Sequence, residues 1–282
     1  MSGGNSGAVR FLYGTKPGRL LLKLILHSHV DKIAVWYLRS PLSRPMIGGF
    51  ARRNDIPLTP EQKKSFGSYR EFFLRRRPPM PVDQVPESLI SPCDGWLSAF
   101  PIREDSSFSI KGAPYRLEDL IEDRRLARQF HGGDCLIFRL CPSDYHHYWY
   151  IDDGFQGENH FIPGALHSVQ PLACQTYPVY TLNRRCWSLL ESDRFGPVIQ
   201  AEIGALIVGG IINDHENTRV SRGMEKGRFD LAGSTIALLF QQGRVRLLPE
   251  IAQALKTQEE YQVVQGAAIG KAASAFAPAA QP

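Results

Sequence analysis

Three short segments of the sequence bring together residue types that can do acid–base or nucleophilic chemistry. They span residues 91–95, 144–149 and 231–235, and contain an aspartate, two adjacent histidines and a serine. Each also has an ordinary structural explanation, since Asp-Gly and Gly-Ser-Thr are common in turns and a histidine among aromatic residues can bond a carbonyl. Read singly, none of the segments defines a function.

The spacing of these residues disfavours two familiar types of site. His146 and His147 are adjacent, so in a strand they point to opposite faces and cannot easily chelate one metal ion. One of them is better suited to an acid–base or orienting role. The G-x-S-x-G pattern of α/β-hydrolases is not met around Ser234, because positions 232 and 236 are Ala and Ile.

A serine at the mouth of an apolar strand allows a different reaction. The hydroxyl of Ser234 can attack the carbonyl of Gly233, and small residues on both sides lower the steric cost of a strained peptide there. Asp94 lies in a turn just ahead of another predicted strand, residues 96–100. The serine segment is compatible both with a plain turn and with attack of Ser234 on its own chain.

The secondary-structure elements that must position these residues are predicted from a change in the sequence pattern along the chain. From residue 91 onward, short β-rich runs alternate with Gly, Pro, Asn and Asp, and residues 117–130 form one helical insertion. The predicted strands are residues 135–140, 198–203, 205–212, 235–240 and 244–248. We expect an α+β fold in which N-terminal helices precede a mainly antiparallel, β-rich catalytic domain resembling a sandwich or barrel.

The N-terminal part is predicted to be helical. Residues 19–39 combine a polar stripe with apolar positions, and Trp36 and Tyr37 beside several basic residues favour contact with a membrane surface over an ordinary buried helix. A second helix begins at Pro60, after the N-cap Thr59 and with Gln62 at the capping-box position. Residues 1–15, rich in Gly and Ser, are expected to be loose.

The charge distribution separates two parts of the chain. Residues 1–80 contain 15 basic and 4 acidic side chains, a balance of +11, whereas residues 81–282 contain 18 and 24, a balance of −6, which together give +5. No apolar run approaches the ~20 residues of a spanning helix, and five scattered cysteines without a C-x-x-C pair indicate a reducing compartment. We expect a membrane-contacting region (1–80), a catalytic domain (81–270) and a disordered tail (271–282).

Taken together, these segments and their neighbours resemble the phosphatidylserine decarboxylases, a pyruvoyl-dependent family. The resemblance runs in one order from about residue 65 to about residue 270. It is carried by Phe72-Phe73-x-Arg75, Arg77-Pro78, Ser91-Pro92-x-Asp94-Gly95, Lys111-Gly112-x-x-Tyr115, Asp144-Tyr145-His146, Pro163-Gly164, Ser168-Val169, Phe195-Gly196-Pro197, Gly204-Ala205, Val208-Gly209, Lys226-Gly227-x-Phe229 and Gly233-Ser234-Thr235.

The resemblance implies that the proenzyme cuts itself between Gly233 and Ser234, which becomes a covalent pyruvoyl cofactor. The products would be a β chain, residues 1–233, and an α chain of 282 − 233 = 49 residues, forming an α/β heterodimer that could dimerise further. The pyruvoyl ketone would form a Schiff base with the substrate amine and accept the electrons released as CO2 departs. Asp94 and His146 match the family's aspartate and first histidine.

The sequence departs from a common form of the family at one position. In that form a second histidine, three residues after the first, relays between aspartate and serine, but here Trp149 stands there. Either His146 serves both self-cleavage and decarboxylation, or His147 or His167 substitutes. We prefer His146, because it alone occupies a family histidine position in the Asp-Tyr-His motif.

The resemblance implies an enzyme that converts phosphatidylserine to phosphatidylethanolamine and CO2. The basic N-terminal region, without a spanning helix or a signal-peptide pattern, indicates peripheral attachment to the cytoplasmic side of the cell membrane. No nucleic-acid partner is expected, since the basic region carries no recognisable binding motif. Two alternatives stay open: a soluble pyruvoyl-dependent decarboxylase of a free amino acid, and a non-catalytic membrane-binding relative in which the Gly-Ser-Thr segment is only a turn.

Overall fold

The computed structural model describes residues 6–27, 30–78, 80–105, 107–110, 113–205, 210–231 and 234–273. Short 3-10 turns occupy Pro41–Ser43 and Arg128–Phe130. The α-helices, in chain order, are α1 Gly7–Gly14, α2 Lys16–His27, α3 Val30–Arg39, α4 Arg44–Arg53, α5 Pro60–Ser65, α6 Tyr69–Phe73, α7 Leu117–Ile121, α8 Arg124–Ala127, α9 Pro171–Thr176, α10 Val179–Leu182 and α11 Pro249–Thr257.

The strands fill most of the chain after residue 87. They are β1 Ser88–Ile90, β2 Gly95–Pro101, β3 Ser107–Ile110, β4 Ala113–Arg116, β5 Asp134–Leu140, β6 His147–Trp149, β7 Gly154–Gln156, β8 His160–Ile162, β9 Arg185–Ser192, β10 Gly196–Gly204, β11 Gly210–Asn213, β12 Thr218–Val220, β13 Glu225–Asp230, β14 Ser234–Phe240, β15 Val245–Leu247, β16 Tyr261–Val263 and β17 Ala268–Ala272.

A nine-stranded sheet is the centre of the fold. Its strand order is β12-β7-β9-β10-β14-β5-β2-β16, with β8 also paired to β9. Smaller sheets have the orders β11-β13-β6, β1-β17-β15 and β3-β4. These strand pairs are antiparallel, so the α+β fold with mainly antiparallel strands is confirmed, and the sheets are open rather than closed into a barrel.

The central strands are buried on both faces because an apolar layer covers each. Side chains such as Ile137 and Ala237 join a cluster that includes the N-terminal helix α1 and the short helices α7 to α10. The alternate side chains, such as Phe138 and Leu238, pack in a second cluster with Tyr148 of the β11-β13-β6 sheet. All seven residues of β14 are buried, as its continuous apolar sequence requires.

The N-terminal region differs from the prediction in two ways. Residues 7–14 are not loose but form α1, because the Ser6 side chain accepts a hydrogen bond from the Val9 amide and Tyr13 is buried against the domain. The helix predicted over 19–39 is described as α2 and α3, and residues 28–29 between them lie outside the described part.

Two further predicted helices are present, but each is interrupted where the prediction has one continuous helix. The capping box at Thr59 and Gln62 is confirmed, but the helix predicted to continue from there to Arg77 ends at Ser65, and α6 begins with a new N-cap, Ser68. Residues 117–130 form α7, α8 and a 3-10 turn rather than one helix. Strand β17 continues to Ala272, and residues 274–282 of the predicted tail lie outside the described residues.

Candidate active site

The predicted site residues gather at one edge of the central sheet. Ser234 is the first residue of β14, and it pairs with Gly204 at the end of β10 and with Leu140 at the end of β5. On the other side of β5, strand β2 starts at Gly95, directly after Asp94. Neighbouring antiparallel strands start and end at the same edge, so only β5 separates Gly95 from Ser234, a distance of about 10 Å from two strand spacings.

Ser234 is buried at this edge, with 1% of its surface exposed. Its Oγ accepts and donates no hydrogen bond among the residues that the structure describes. A buried hydroxyl without a partner costs free energy, so it is uncommon in a purely structural position. Residues 232 and 233 are not described, and the predicted cleavage residue Gly233 therefore lies outside the structural account.

His146 is buried between the end of β5 and the β13 strand that leads to Ser234. Its Nδ1 lies 2.8 Å from the carbonyl oxygen of Asp144, and because a carbonyl only accepts, Nδ1 carries the proton. The Nε2 atom then carries no proton, and it is buried without a partner among the described residues. Burial lowers the pKa of His146 to about 3, so the imidazole is neutral at physiological pH.

The other two candidate histidines have ring nitrogens that contact other groups. His147 places Nδ1 2.8 Å from Oε1 of Glu225 and Nε2 3.3 Å from the carbonyl oxygen of Leu74. His167 lies 3.3 Å from the hydroxyl of Tyr13 and its ring stacks on Tyr177. Of the three candidates, only His146 has a buried ring nitrogen without a partner in the described part of the chain.

Asp94 is held by an arginine rather than by a histidine. Its carboxylate forms a bidentate ion pair with Arg77 and accepts a hydrogen bond from the backbone amide of Gln265 at 2.9 Å. The Gln265 side chain donates in turn to the carbonyl oxygens of Pro92 and His147. Arg77 belonged to a motif of the resemblance, but no sequence signal pointed to Gln265.

Trp149, at the position of the missing second histidine, packs against the segment that carries Asp94. Its backbone amide donates to the carbonyl of Pro92 at 2.9 Å, and its ring covers Gly266, where an added Cβ would lie 3.1 Å from Cζ3. An indole nitrogen is a donor only, so Trp149 cannot take a proton. Residue 149, where the family's second histidine stands, therefore adjoins the Asp94 segment, as a relay to Asp94 would require. Its tryptophan side chain, however, cannot act as a base.

The segment ahead of Ser234 is strained and tightly held. Leu231 has a φ of +59°, a left-handed conformation that costs a non-glycine residue about 1–2 kcal/mol. The preceding Asp230 is buried and receives two arginines, Arg70 at 2.8 Å and Arg39 at 3.1 Å. These ion pairs fix the end of β13 one residue before the left-handed turn.

The described residues include no group of three or more His, Cys, Asp or Glu side chains arranged to hold a metal ion. In the same part of the chain, no helix has the length and apolar character needed to cross a membrane.

Comparison with known proteins first gives the class of this molecule, which is an enzyme of the decarboxylase type. The family model described as phosphatidylserine decarboxylase matches residues 69–271, which include Asp94, His146 and Ser234. The chain belongs to the phosphatidylserine decarboxylase family.

Similar proteins cover nearly the whole chain. A phosphatidylserine decarboxylase proenzyme of Desulfitobacterium hafniense is 36% identical over 270 residues, covering 93% of this chain and 91% of that protein. The proenzyme of Ruminiclostridium cellulolyticum is 38% identical over 267 residues, with coverages of 92% and 89%. Proenzyme 2 of Clostridium acetobutylicum is 36% identical over 269 residues, with coverages of 94% and 92%.

Proposed function

We propose that this enzyme decarboxylates phosphatidylserine to phosphatidylethanolamine, using a pyruvoyl group that it makes from Ser234 by cutting itself after Gly233. The observation that carries the proposal is the buried Ser234 Oγ without a hydrogen-bond partner, at the start of a central strand. Family membership and the proenzyme names of the relatives support it. The ketone of a pyruvoyl group supplies an electron sink once the substrate amine has condensed with it.

The self-cleavage chemistry needs only groups of this chain and one water molecule. Ser234 Oγ attacks the carbonyl carbon of Gly233, the C–N bond breaks, and the Gly233 acyl group passes from nitrogen to oxygen as an ester. Removal of the Ser234 Hα then expels the Gly233 carboxylate and leaves dehydroalanine. Tautomerisation to an imine and hydrolysis by one water release ammonia and leave the ketone.

His146 is the base that we assign to these proton transfers. Its Nε2 has no partner among the described residues, and burial, which lowers the pKa of His146 to about 3, leaves that nitrogen unprotonated and free to accept a proton at the pH of the cell. The Nδ1–H bond to Asp144 holds the ring in that tautomer, as the third member of a catalytic triad does. We therefore propose that His146 acts in both self-cleavage and decarboxylation.

Asp94 acts in this proposal by positioning the residues that support the backbone beside His146. It anchors Arg77 and the Gln265 amide, and Gln265 bonds the backbone of His147 directly beside His146. Loss of the carboxylate would leave the half-buried Arg77 guanidinium without its acid partner, which is strongly destabilising at such a site. Asp94 thus reaches the reaction through the backbone next to His146.

The two chains produced by cleavage would stay together. In the proposal β14 opens the α chain, and it lies between β10 and β5 of the β chain with seven paired residues on each side. The α/β heterodimer is therefore held by main-chain hydrogen bonds and by both apolar clusters. No feature of the described residues favours a particular further oligomer.

We also propose peripheral attachment to the cytoplasmic side of the cell membrane. Exposed large apolar side chains concentrate on the N-terminal helices, with Ile33 at 67% and Trp36 at 64% exposure. Such a face, beside the basic residues of that region, suits a membrane interface. A soluble decarboxylase of a free amino acid would not need this exposed apolar surface, so the surface favours a phospholipid substrate.

The test is the Ser234→Ala variant. We expect an uncut chain that releases no CO2 from phosphatidylserine, because both the nucleophile and the precursor of the ketone are gone. Ser98→Ala, at a buried serine of β2 in the same sheet, is the matched control and should be cut and active. Substantial decarboxylation by Ser234→Ala would contradict the proposal.

A further inference from the structure

Three arginines near the candidate site residues have an acid partner. Arg39 and Arg70 bond Asp230, and Arg77 bonds Asp94. Arg75 differs, because no carboxylate of the described residues pairs with it. Its guanidinium donates one hydrogen bond, to the carbonyl of Phe72 at 3.1 Å, and lies 4.7 Å above the Phe72 ring.

Arg75 lies beside His146. Phe73, two residues earlier, packs its ring 4.3 Å from the His146 ring. The charge of Arg75 contributes to the lowered pKa of His146, and burial together with the neighbouring Arg77 lowers the pKa of Arg75 itself. A partly buried cation without a counter-charge is costly, so an anionic ligand at this point would be stabilised.

The proposed substrate offers two anionic groups, and the reaction distinguishes between them. The serine carboxylate loses its charge as CO2 leaves, so an arginine bound to it would stabilise the ground state more than the transition state and slow the reaction. The phosphodiester keeps its charge throughout. Its oxygens also match the fork of donors that a guanidinium presents.

We propose that Arg75 binds the phosphodiester of the lipid headgroup and thereby selects a phospholipid over a free amino acid. This inference rests on the proposed function. Arg75 lies between His146 and the N-terminal helices, which suits contact with the phosphodiester that joins the reacting serine to the two acyl chains. Helix α3, which exposes Ile33 and Trp36, packs through Val35 and Leu38 against the cluster that contains Phe72 and Phe73.

The experiment compares Arg75→Gln, Arg75→Lys and the control Arg76→Gln, which removes the same charge from an exposed neighbour without a hydrogen-bonded partner among the described residues. Self-cleavage is measured by intact mass, and kcat and KM are measured with phosphatidylserine in mixed micelles. Inhibition by glycerophosphoserine, a soluble headgroup without acyl chains, reports on headgroup binding alone.

We expect Arg75→Gln to cut itself as the wild type does, with a KM at least about tenfold higher, a nearly unchanged kcat and weaker inhibition by glycerophosphoserine, as loss of a charge-assisted bond predicts. Arg75→Lys should recover part of both properties, and Arg76→Gln should match the wild type.

Unchanged KM and inhibition in Arg75→Gln would overturn the inference, as would a loss confined to kcat or a folded variant that stays uncut. If Arg75→Gln does not fold, Arg75→Lys decides by the same two measurements. A wild type that stays uncut overturns the proposed function itself, a result distinct from failure of the headgroup assignment.

Discussion

The sheet edge at Ser234 and the outer face of the N-terminal helices differ in the exposure of their apolar side chains. Strand β14 is buried along its whole length. By contrast, nine of the fourteen exposed large apolar side chains in the described residues lie between Phe11 and Met46. The difference separates the buried strand that begins at Ser234 from an exposed apolar surface that contacts the membrane in the proposed function.

This contrast changes the expected basis of membrane attachment. The +11 balance of residues 1–80 indicates an electrostatic, salt-sensitive contact. In the structure some of that charge is used internally, since Arg39 and Arg70 both bond Asp230. The exposed face of the helices is substantially apolar, so we expect attachment that salt weakens only in part.

The largest effect should come from the histidine at the buried edge. We expect His146→Gln to slow self-cleavage by about 10²–10⁴-fold, the usual contribution of a general base. His147→Gln is the matched control, because His147 already uses both ring nitrogens in other contacts and should remain able to cut. The measurement is the fraction of cut chain against time after synthesis.

Equal, severe loss of cutting in the two histidine variants would contradict the assignment of the base to His146. So would normal cutting in His146→Gln. Circular dichroism of the uncut chains shows whether either variant has simply failed to fold.

The sequence predicted the buried edge better than it predicted the helical face. Ser234, Asp94 and His146 could be selected because they match motifs of the family, and antiparallel pairing places the strand ends at Ser234 and Asp94 at the same edge. The contact of Asp94 with Gln265 could not be found, since it joins residues 171 positions apart through tertiary packing.

The helical face shows why composition alone misleads. Gly and Ser in residues 1–15 suggested a loose segment, but burial of Tyr13 outweighs the low helix propensity of the glycines. The charge count also could not tell which arginines reach a buried aspartate. That aspartate, Asp230, lies in β13, far along the chain from Arg39 and Arg70.

A smaller effect should come from the exposed apolar face. We expect Ile33→Asp or Trp36→Asp to weaken binding to vesicles containing phosphatidylserine by roughly tenfold or more, because burial of such a side chain contributes about 1.5–3 kcal/mol. Cutting should continue, since neither side chain reaches the sheet edge. Vesicle flotation at low and high salt measures the loss.

Phe161→Asp is the control for this comparison, because Phe161 is similarly exposed, at 58%, but lies on β8 of the sheet domain. Vesicle binding that falls equally in Phe161→Asp, or that is abolished by salt alone, would contradict an apolar docking face.

The last effect concerns how the stability of the buried edge depends on pH. The folded pKa of His146 is about 3, below its unfolded value near 6.5, so the unfolded state binds the proton first and stability falls as pH drops below 6.5, by up to about 1.4 kcal/mol per pH unit. Asp144 acts oppositely, since burial raises its pKa to about 6 and stability rises as pH falls through 6.

Urea unfolding in the uncut Ser234→Ala background separates the two groups. With His146 present, the contributions offset each other between about pH 4 and 6. With His146→Gln added, the Asp144 contribution remains alone, so the double variant should gain stability relative to Ser234→Ala as the pH falls. A constant difference between the two proteins would show that His146 is not held neutral.

Intact mass of the freshly purified wild-type enzyme under denaturing conditions tests the central claim most directly. We predict two chains, residues 1–233 and 234–282, the smaller one lighter than a serine-started chain by one ammonia. Borohydride treatment with phosphatidylserine should add the reduced substrate to that smaller chain. An active enzyme that remains one intact chain, or a small chain that begins with an unmodified Ser234, would contradict the account.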